Sequence, residues 1–175
     1  MIYLLRHPRP AVDEGICYGA LDLDLAEPVE PTVERIKALL PSRYTIYSSP
    51  LKRALQVAEK LGDPIVDSRL REMDFGEWEG KDYSAIADGV EEWARDIFGF
   101  RPPNGESARA MADRVRAFLR SATETRPMLV VAHAGPIRAI ITELLGLEEI
   151  EALRFRVDFG ALLAVREGEL VFLNR

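Results

Sequence analysis

The chain has 175 residues, of which 47% are hydrophobic and 30% are charged, and its formal net charge is −6 at pH 7. This length and composition allow one sound hydrophobic core, which predicts a single domain over residues 1–175. The acidic balance disfavours a nucleic-acid partner, because binding a phosphate backbone requires a basic surface.

Cysteine usage and hydropathy indicate the compartment. Cys17 is the only cysteine, so no internal disulfide can form, which is typical of a reducing compartment. No signal-peptide pattern precedes the first predicted strand, and no apolar run approaches membrane-spanning length. We therefore expect a soluble cytoplasmic protein with no membrane association.

The first half of the chain predicts strands that alternate with helices. Residues 2–5 form a short apolar strand that ends at Arg6-His7-Pro8, because proline disfavours continuation of a strand. The elements expected next are a helix opened by Pro28 and Pro31 and closed by Pro41, a strand over 44–47, a helix from Pro50 to Gly62 with Ser49 as its N-cap, and a short strand at 65–66.

The second half continues this alternation after an acidic loop over 67–80. The elements expected there are a broken, aromatic-rich helical stretch over 83–100, an amphipathic helix from Ser107, a strand over 128–131, a helix from Ala134 to Gly146, and strands over 154–157, 162–165 and 170–173. Gly168 makes the last two strands a hairpin. The alternation predicts an α/β three-layer sandwich, with a mostly parallel central sheet between helices and an antiparallel strand at one edge.

Three predicted strand-to-helix junctions carry groups that bind anions. Arg6 and His7 follow the first strand, Arg53 lies in the first turn after the second, and His133 precedes a helix whose free N–H groups favour an anion. Because the carboxyl ends of parallel strands share one edge of the sheet, we expect these groups to converge. Two guanidinium groups and two imidazoles there suit a phosphate dianion.

The motifs at these junctions, taken in order, resemble the histidine phosphatase superfamily, which includes the cofactor-dependent phosphoglycerate mutases. They are Leu5-Arg6-His7, Ser48-Ser49-Pro50-Leu51-Lys52-Arg53-Ala54, the run from Leu70 to Gly80, and Ala132-His133-Ala134-Gly135. Ile16-Cys17-Tyr18-Gly19, the run from Phe75 to Gly80 and the run from Pro102 to Ser107 further resemble the alpha-ribazole phosphatase branch. The resemblance implies a phosphoglycerate mutase-like fold with a small helical cap over residues 81–105.

The resemblance also implies a role for each matched residue. His7 is expected to attack phosphorus and carry it as a phosphohistidine, and Glu72 to act first as general acid and then as general base. Arg6, Arg53 and His133 are expected to hold the phosphate oxygens. The implied activity is a phosphomonoesterase that needs no metal or cofactor. Its expected substrate is a small phosphorylated metabolite, most specifically alpha-ribazole 5'-phosphate of the cobalamin nucleotide-loop pathway.

Four further residues are candidates for substrate binding: Tyr18, Gly19, Trp78 and Trp93. Aromatic side chains around the pocket would suit the benzimidazole ring of alpha-ribazole phosphate, because stacking adds to simple burial. Packing within the core or the cap explains the aromatic residues equally well.

The loop after His7 departs from the family pattern. Pro8 stands where glycine is usual, Arg9 and Pro10 replace acidic and hydroxyl residues, and Asp13 falls where many relatives have a phosphate-binding asparagine. We do not assign phosphate binding to Asp13, because a carboxylate repels phosphate. Asn104 replaces a frequent glycine, a mild change because asparagine tolerates positive φ.

Other functions stay open at this stage. A broad-specificity phosphatase or a phosphoglycerate mutase-type enzyme would share the first half-reaction, and an inactive relative would only bind phosphorylated ligands. A transition-metal site using His7 and His133 is disfavoured, because the two residues are not at ligand spacing. The sequence also leaves a homodimer open.

Overall fold

The centre of the molecule is a mostly parallel β-sheet. The computed structural model describes residues 1–122 and 127–175. Its strands are β1 (Ile2–Arg6), β2 (Thr45–Ser48), β3 (Ile65–Val66), β4 (Met128–Ala132), β5 (Leu162–Arg166) and β6 (Glu169–Phe172). In the order β3-β2-β4-β1-β5-β6, the first four strands are parallel, whereas β5 runs antiparallel to both β1 and β6. The predicted parallel sheet with an antiparallel edge is confirmed.

Helices cover both faces of the sheet. They are α1 (Glu30–Lys37), α2 (Lys52–Leu61), α3 (Ala87–Arg95), α4 (Ala108–Ser121) and α5 (Ala134–Leu145), with short 3-10 turns at Ser68–Leu70, Gly76–Trp78, Tyr83–Ile86 and Glu149–Arg154. Side chains of α1 and α2 pack on one face and those of α4 and α5 on the other. The predicted three-layer α/β sandwich is therefore confirmed. In the part of the chain that the structure describes, no helix is long and apolar enough to cross a membrane.

Alternation along the strands divides the core in two. Leu4 and Val130 belong to the cluster under α4 and α5, whereas Tyr3, Leu5 and Val131 belong to the cluster under α1 and α2. Because β4 is buried on both faces, it is a continuous apolar run instead of an alternating one.

The cap segment, residues 81–105, has its own small cluster. Ile86 of this segment is buried with Cys17 and Trp78 from the preceding loops, and Trp93 and Phe100 of the segment pack against them. The broken helical stretch predicted for this segment is confirmed, because a 3-10 turn at Tyr83–Ile86 is followed by α3. Asn104 has a φ of 58°, as its place in a glycine-like position predicts.

Two local predictions are wrong. The stretch 154–157 is not a strand: a 3-10 turn ends at Arg154, and side chains, instead of a neighbouring strand, bind the carbonyls of Phe155 and Val157. Ser49 is not the N-cap of α2, since the cap position is Leu51 and has no side-chain hydrogen bond. The hydroxyl oxygen of Ser49 accepts from the N–H of Leu51 at 3.3 Å, just before the helix, and also lies 2.8 Å from Nε2 of His133.

Candidate active site

The register of β1 and β4 places the two histidines side by side. Arg6 is paired with Ala132, so His7 and His133 are the next residues along adjacent parallel strands. The N–H of His7 still donates to Ala132 O at 3.1 Å, which prolongs the ladder by one bond. The imidazole centroids are 4.9 Å apart in an edge-on arrangement. The predicted convergence of these two residues is therefore found in the structure.

The ring of His7 is held in one tautomer. Its Nδ1 lies 2.6 Å from the carbonyl oxygen of Pro8, which can only accept, so Nδ1 carries the proton and Nε2 presents a lone pair. Burial lowers the pKa of His7 to about 3, and the charges of Arg53 and Arg6 act in the same direction. The ring is therefore neutral at pH 7, as a nucleophile requires.

Arg53 reaches back from α2 to the end of β1 and is completely buried. Its Nε–H points at Nε2 of His7 at 3.3 Å, and its terminal nitrogens donate to the carbonyls of Leu21 and Gly19, each at 2.6 Å. The ring of Tyr18 lies 5.6 Å from the guanidinium carbon. The position predicted for Arg53, over the strand ends, is the observed one.

The loop under Arg53 is organised by the carboxylate of Glu79. Four backbone N–H groups donate to it, at 2.8–3.1 Å, from Gly19, Ala20, Leu21 and Phe75. With its N–H groups turned toward Glu79, the loop directs two carbonyls at Arg53. A Cβ on Gly19 would lie 1.9 Å from the carbonyl oxygen of Met73, so only glycine fits that position. Gly19 therefore supports Arg53 and does not line the cavity described below.

Arg6 is the last residue of β1 and directly precedes His7. It donates from Nη1 to Val157 O at 2.6 Å, and its guanidinium group stacks 3.7 Å from the centroid of the Phe159 ring. Its Nε is buried and has no hydrogen-bond partner within the described ranges. That donor is available to a bound anion.

His133 is fully buried at the start of α5. Its Nε2 lies 2.8 Å from the hydroxyl oxygen of Ser49, whereas its Nδ1 is buried without a partner among residues 1–122 and 127–175. Burial is the main cause that holds the pKa of His133 well below its ordinary value, followed by the nearby His7 and Arg53.

The sequence predicts that the N-terminus of α5 is open to phosphate, but the carboxylate of Glu72 occupies it. Its Oε2 accepts from the N–H of Gly135 in the first turn of α5 at 3.2 Å, and its Oε1 accepts from Met73 N at 3.0 Å. A Cβ on Gly135 would lie 2.3 Å from Oε1, so the close approach depends on glycine. The first turn of α5 therefore binds a carboxylate of the protein itself.

Arg114, which the sequence did not single out, fixes the loop that carries Glu72. It donates to the carbonyls of Arg69 and Arg71, both at 2.7 Å, and of Glu72, at 3.0 Å. Its guanidinium group also pairs with Glu106. Three carbonyls bound by one guanidinium group leave this loop little freedom.

Several of these groups line one end of a cavity of about 310 Å³, whereas Arg114 and the fully buried His133 are not among its lining residues. Arg6, His7, Arg53 and Glu72 form that end, and Tyr18 lies beside them. The rest of the wall is largely apolar or aromatic and includes Met73, Phe75, Tyr83, Trp93, Ile97, Phe98, Met111 and Leu153.

The structure does not bring every candidate residue to the cavity. Trp93 lines it, but Trp78 is buried behind it and stacks on Phe100 with ring centroids 5.5 Å apart. Arg9 and Asp13, where the chain departs from the family pattern, are exposed and do not line it.

The sequence motifs did not single out Arg138, which also lines the cavity. It is one of two charged residues in the largely apolar sequence of α5, the other being Glu143. Among the described residues, no group of three or more histidine, cysteine or carboxylate side chains is arranged to hold a metal ion.

The chain is similar in sequence to known proteins. The family model of the histidine phosphatase superfamily (branch 1) matches residues 2–169. A protein of Hydrogenobacter thermophilus named "Putative phosphoserine phosphatase 2" is 34% identical over 193 aligned positions, which cover 99% of this chain and 95% of that protein. A glucosyl-3-phosphoglycerate phosphatase of Mycolicibacterium vanbaalenii is 34% identical, over 83% of this chain and 74% of its own length.

Solved structures share the fold over the whole chain. One from Escherichia coli, described as "a putative alpha-ribazole-5'-P phosphatase", has a TM-score of 0.86 at 26% identity and covers 99% of this chain and 95% of its own.

Proposed function

The chain belongs to the histidine phosphatase superfamily, and we propose that it is a phosphomonoesterase that acts through a phosphohistidine at His7. Members of this family are phosphatases or mutases. The observation that carries the proposal is the environment of His7. Its Nδ1–H donates to the carbonyl oxygen of Pro8, so the lone pair is on Nε2, which contacts Arg53 at the end of the cavity.

In the proposed reaction the substrate phosphate displaces an internal contact. Its oxygens accept from Arg53, including Nε–H, which releases the lone pair of His7 Nε2. That lone pair attacks phosphorus while the bond to the ester oxygen breaks. Nε–H of Arg6 is a buried donor without a partner in the described chain, and Nδ1 of His133 becomes a second one in the tautomer in which the hydroxyl of Ser49 donates to Nε2. In this scheme both donors stabilise the negative charge of the transferring group.

Glu72 completes the cycle in this scheme. It gives a proton to the departing alkoxide, then takes one from a water molecule that attacks the phosphohistidine. The products are the alcohol and inorganic phosphate, and His7 returns to its neutral form. Glu72 lines the cavity and accepts from the N–H of Gly135 in the first turn of α5, a position that supports this role.

The test is detection of the phosphoenzyme. Wild-type protein incubated with a labelled aryl phosphate should carry an acid-labile, base-stable label, and His7→Ala should lose both label and turnover while keeping its circular dichroism spectrum. Glu72→Gln serves as the matched control, because it keeps the nucleophile and should still become labelled. Full turnover by folded His7→Ala would falsify this mechanism.

Hydrolysis must also be distinguished from mutase activity and from simple binding. A mutase shares the first step but must keep its phosphoenzyme from water. We favour a phosphatase, because the cap segment is short and the two curated relatives described above are both named as phosphatases. Incubation with 3-phosphoglycerate should release inorganic phosphate without forming 2-phosphoglycerate. Binding without release would indicate an inactive relative.

Two classes of substrate have support. Alpha-ribazole phosphate is favoured by the aromatic wall, to which Tyr18, Phe75 and Trp93 contribute, and by the Escherichia coli structure. A small phosphorylated carboxylic acid such as phosphoserine is favoured by the name of the Hydrogenobacter relative and by Arg138 in the cavity. Comparison of kcat/KM for alpha-ribazole phosphate and phosphoserine separates the two.

If the ring stacks, Tyr18→Ala and Trp93→Ala should slow only alpha-ribazole phosphate. Equal losses on both substrates would assign these aromatic residues to packing. A single catalytic domain, independence of metal ions and a cytoplasmic location are parts of the same proposal.

A further inference from the structure

Arg138 lies on the cavity wall without an anionic partner. It lies one helical turn beyond Ala134 on α5, and both residues line the cavity. Its Nε donates to the carbonyl of Phe155 at 2.9 Å. In the described chain, no carboxylate lies within 4 Å of its guanidinium group and no acceptor binds its two terminal nitrogens.

The other charged groups of the cavity wall already have partners or a place in the proposed reaction. Glu72 accepts from Gly135 and Met73, and Glu149 pairs with Arg109. Arg116 forms ion pairs with Asp113 and Glu143, at 2.9 and 3.1 Å. Among the residues that the structure describes, Arg6 and Arg53 have no such pairs, but both lie at the end of the cavity that the phosphoryl group would occupy. Arg138 is thus a cation of the cavity wall that has neither an ion pair in the described chain nor a place beside the phosphoryl group. A half-buried cation without a counter-charge is unfavourable, so the wall is complementary to a second anion.

The same stretch of chain holds Arg138 beside Arg6. Arg6 is bound to the carbonyl of Val157 and Arg138 to that of Phe155, two residues earlier. Carbonyl groups two residues apart lie at most about 7 Å from each other along the chain. Burial is the main cause that lowers the pKa of Arg6, and the charge of Arg138 acts in the same direction. Two cations this close leave room for two anionic groups that are only a few bonds apart.

We propose that Arg138 binds a carboxylate of the substrate, so that the site takes a phosphate monoester whose carboxylate is a few bonds from the phosphate. The planar guanidinium group, with both terminal nitrogens unengaged, matches a carboxylate through two parallel hydrogen bonds. This assignment rests on the proposed phosphatase function and narrows it. Alpha-ribazole phosphate has no carboxylate, so the assignment favours the second of the two substrate classes.

The test is a binding experiment with two phosphonates that cannot be hydrolysed. The first, 2-amino-4-phosphonobutyrate, has the shape of phosphoserine, and the second, 3-aminopropylphosphonate, is the same molecule without the carboxylate. In calorimetry, wild-type protein should bind the first about 10- to 100-fold more tightly. Arg138→Met should lose that preference, whereas its affinity for 3-aminopropylphosphonate should change less than about twofold.

Arg116→Gln is the matched control, since Arg116 is a cation of the same wall but already forms ion pairs with Asp113 and Glu143. It should keep the wild-type preference for the carboxylate. Should Arg138→Met fail to fold, Arg138→Gln gives the same comparison and leaves an amide that can bind Phe155 O. Equal affinity of the wild type for both phosphonates would overturn the assignment, and so would an equal loss of both in the Arg138 variant.

Failure of the proposed function would look different. A wild-type protein that never forms a phosphoenzyme on His7 refutes the mechanism, yet calorimetry still reports whether Arg138 selects a carboxylate. A labelled phosphoenzyme combined with unselective binding refutes only the assignment of Arg138.

Discussion

Glu79→Gln tests whether the chain of contacts from Glu79 to Arg53 supports the reaction. In the wild type, each carboxylate oxygen accepts two backbone N–H groups. Glutamine keeps one acceptor oxygen and places an NH₂ group against the two N–H donors that faced the other. Two of the four bonds are therefore lost, and the loop that presents the carbonyls of Gly19 and Leu21 to Arg53 is released.

The magnitude follows from the number and exposure of these bonds. A hydrogen bond to a charged group contributes about 1.5–3 kcal/mol, and the lower part of that range applies because Leu21 is exposed. Loss of two bonds should lower the free energy of unfolding by about 3–4 kcal/mol. In a chain of this length, each kcal/mol shifts Tm by about 2–4 °C, so Tm should fall by about 6–16 °C.

Turnover should fall further than stability alone explains. Arg53 contacts His7 directly, and a displacement of about 1 Å in such a group can cost about 100-fold in rate. The assay is kcat with p-nitrophenyl phosphate and Ki for orthovanadate, at a temperature where the variant is fully folded. We expect kcat to fall at least tenfold and Ki to rise, because both depend on where Arg53 points.

Glu77→Gln is the control, since Glu77 is exposed in the same loop and accepts only from the side chain of Asn104. It should leave Tm, kcat and Ki near their wild-type values. If folded Glu79→Gln kept wild-type kcat and Ki, the loop would not position Arg53, and Glu79 would serve stability alone.

Other expectations concern the remaining groups of the site. Glu72→Gln should slow an alkyl phosphate far more than p-nitrophenyl phosphate, whose leaving group needs no proton; equal losses would remove Glu72 as the acid. Gly135→Ala should reproduce that pattern without touching the carboxyl itself, because the new Cβ would displace Glu72, and unchanged kinetics would contradict the tight contact. Because the folded pKa values of His7 and His133 are lowered, the unfolded chain binds more protons below pH 6.5. The free energy of unfolding, measured in urea, should therefore keep the whole contribution of the two histidines above pH 6.5. Below that pH it should fall by about 1.4 kcal/mol per histidine and pH unit toward pH 3. A constant free energy of unfolding between pH 7 and 5 would argue against neutral buried rings. Activity should survive exhaustive chelation with EDTA and be inhibited by orthovanadate, whereas loss on chelation and recovery with a divalent ion would show that a metal takes part.

The sequence predicted most of the helices and strands, because local residue patterns determine them. Strands β1 and β4 are short apolar runs that end at a charged or polar residue, and their parallel pairing places Arg6, His7 and His133 together as expected. The hairpin was also predicted from the sequence, on the basis of Gly168. The structure shows a two-residue turn in which both Glu167 and Gly168 have positive φ.

What the sequence could not predict depends on contacts between distant residues. The stretch 154–157 has alternating apolar residues like a strand, but Arg6 and Arg138 bind its carbonyls from other parts of the chain. Glu79 stands among several acidic residues, and nothing local shows that it alone gathers four N–H groups. Likewise, Glu72 and Gly135 are 63 positions apart in the sequence. No local pattern could therefore predict the hydrogen bond between Glu72 and the first turn of α5.

The strand order has a consequence for the synthesis of the protein. β4 lies between β2 and β1, although it follows both by more than 75 residues. A nascent chain that has not yet released residues 128–132 from the ribosome holds His7 and Arg53 on strands with no neighbour to join them. Pairings this distant in sequence form slowly, because the intervening chain must first be closed into a loop. The catalytic groups should thus come together only late in translation, and fragments that end before β4 should be inactive and exposed to proteases.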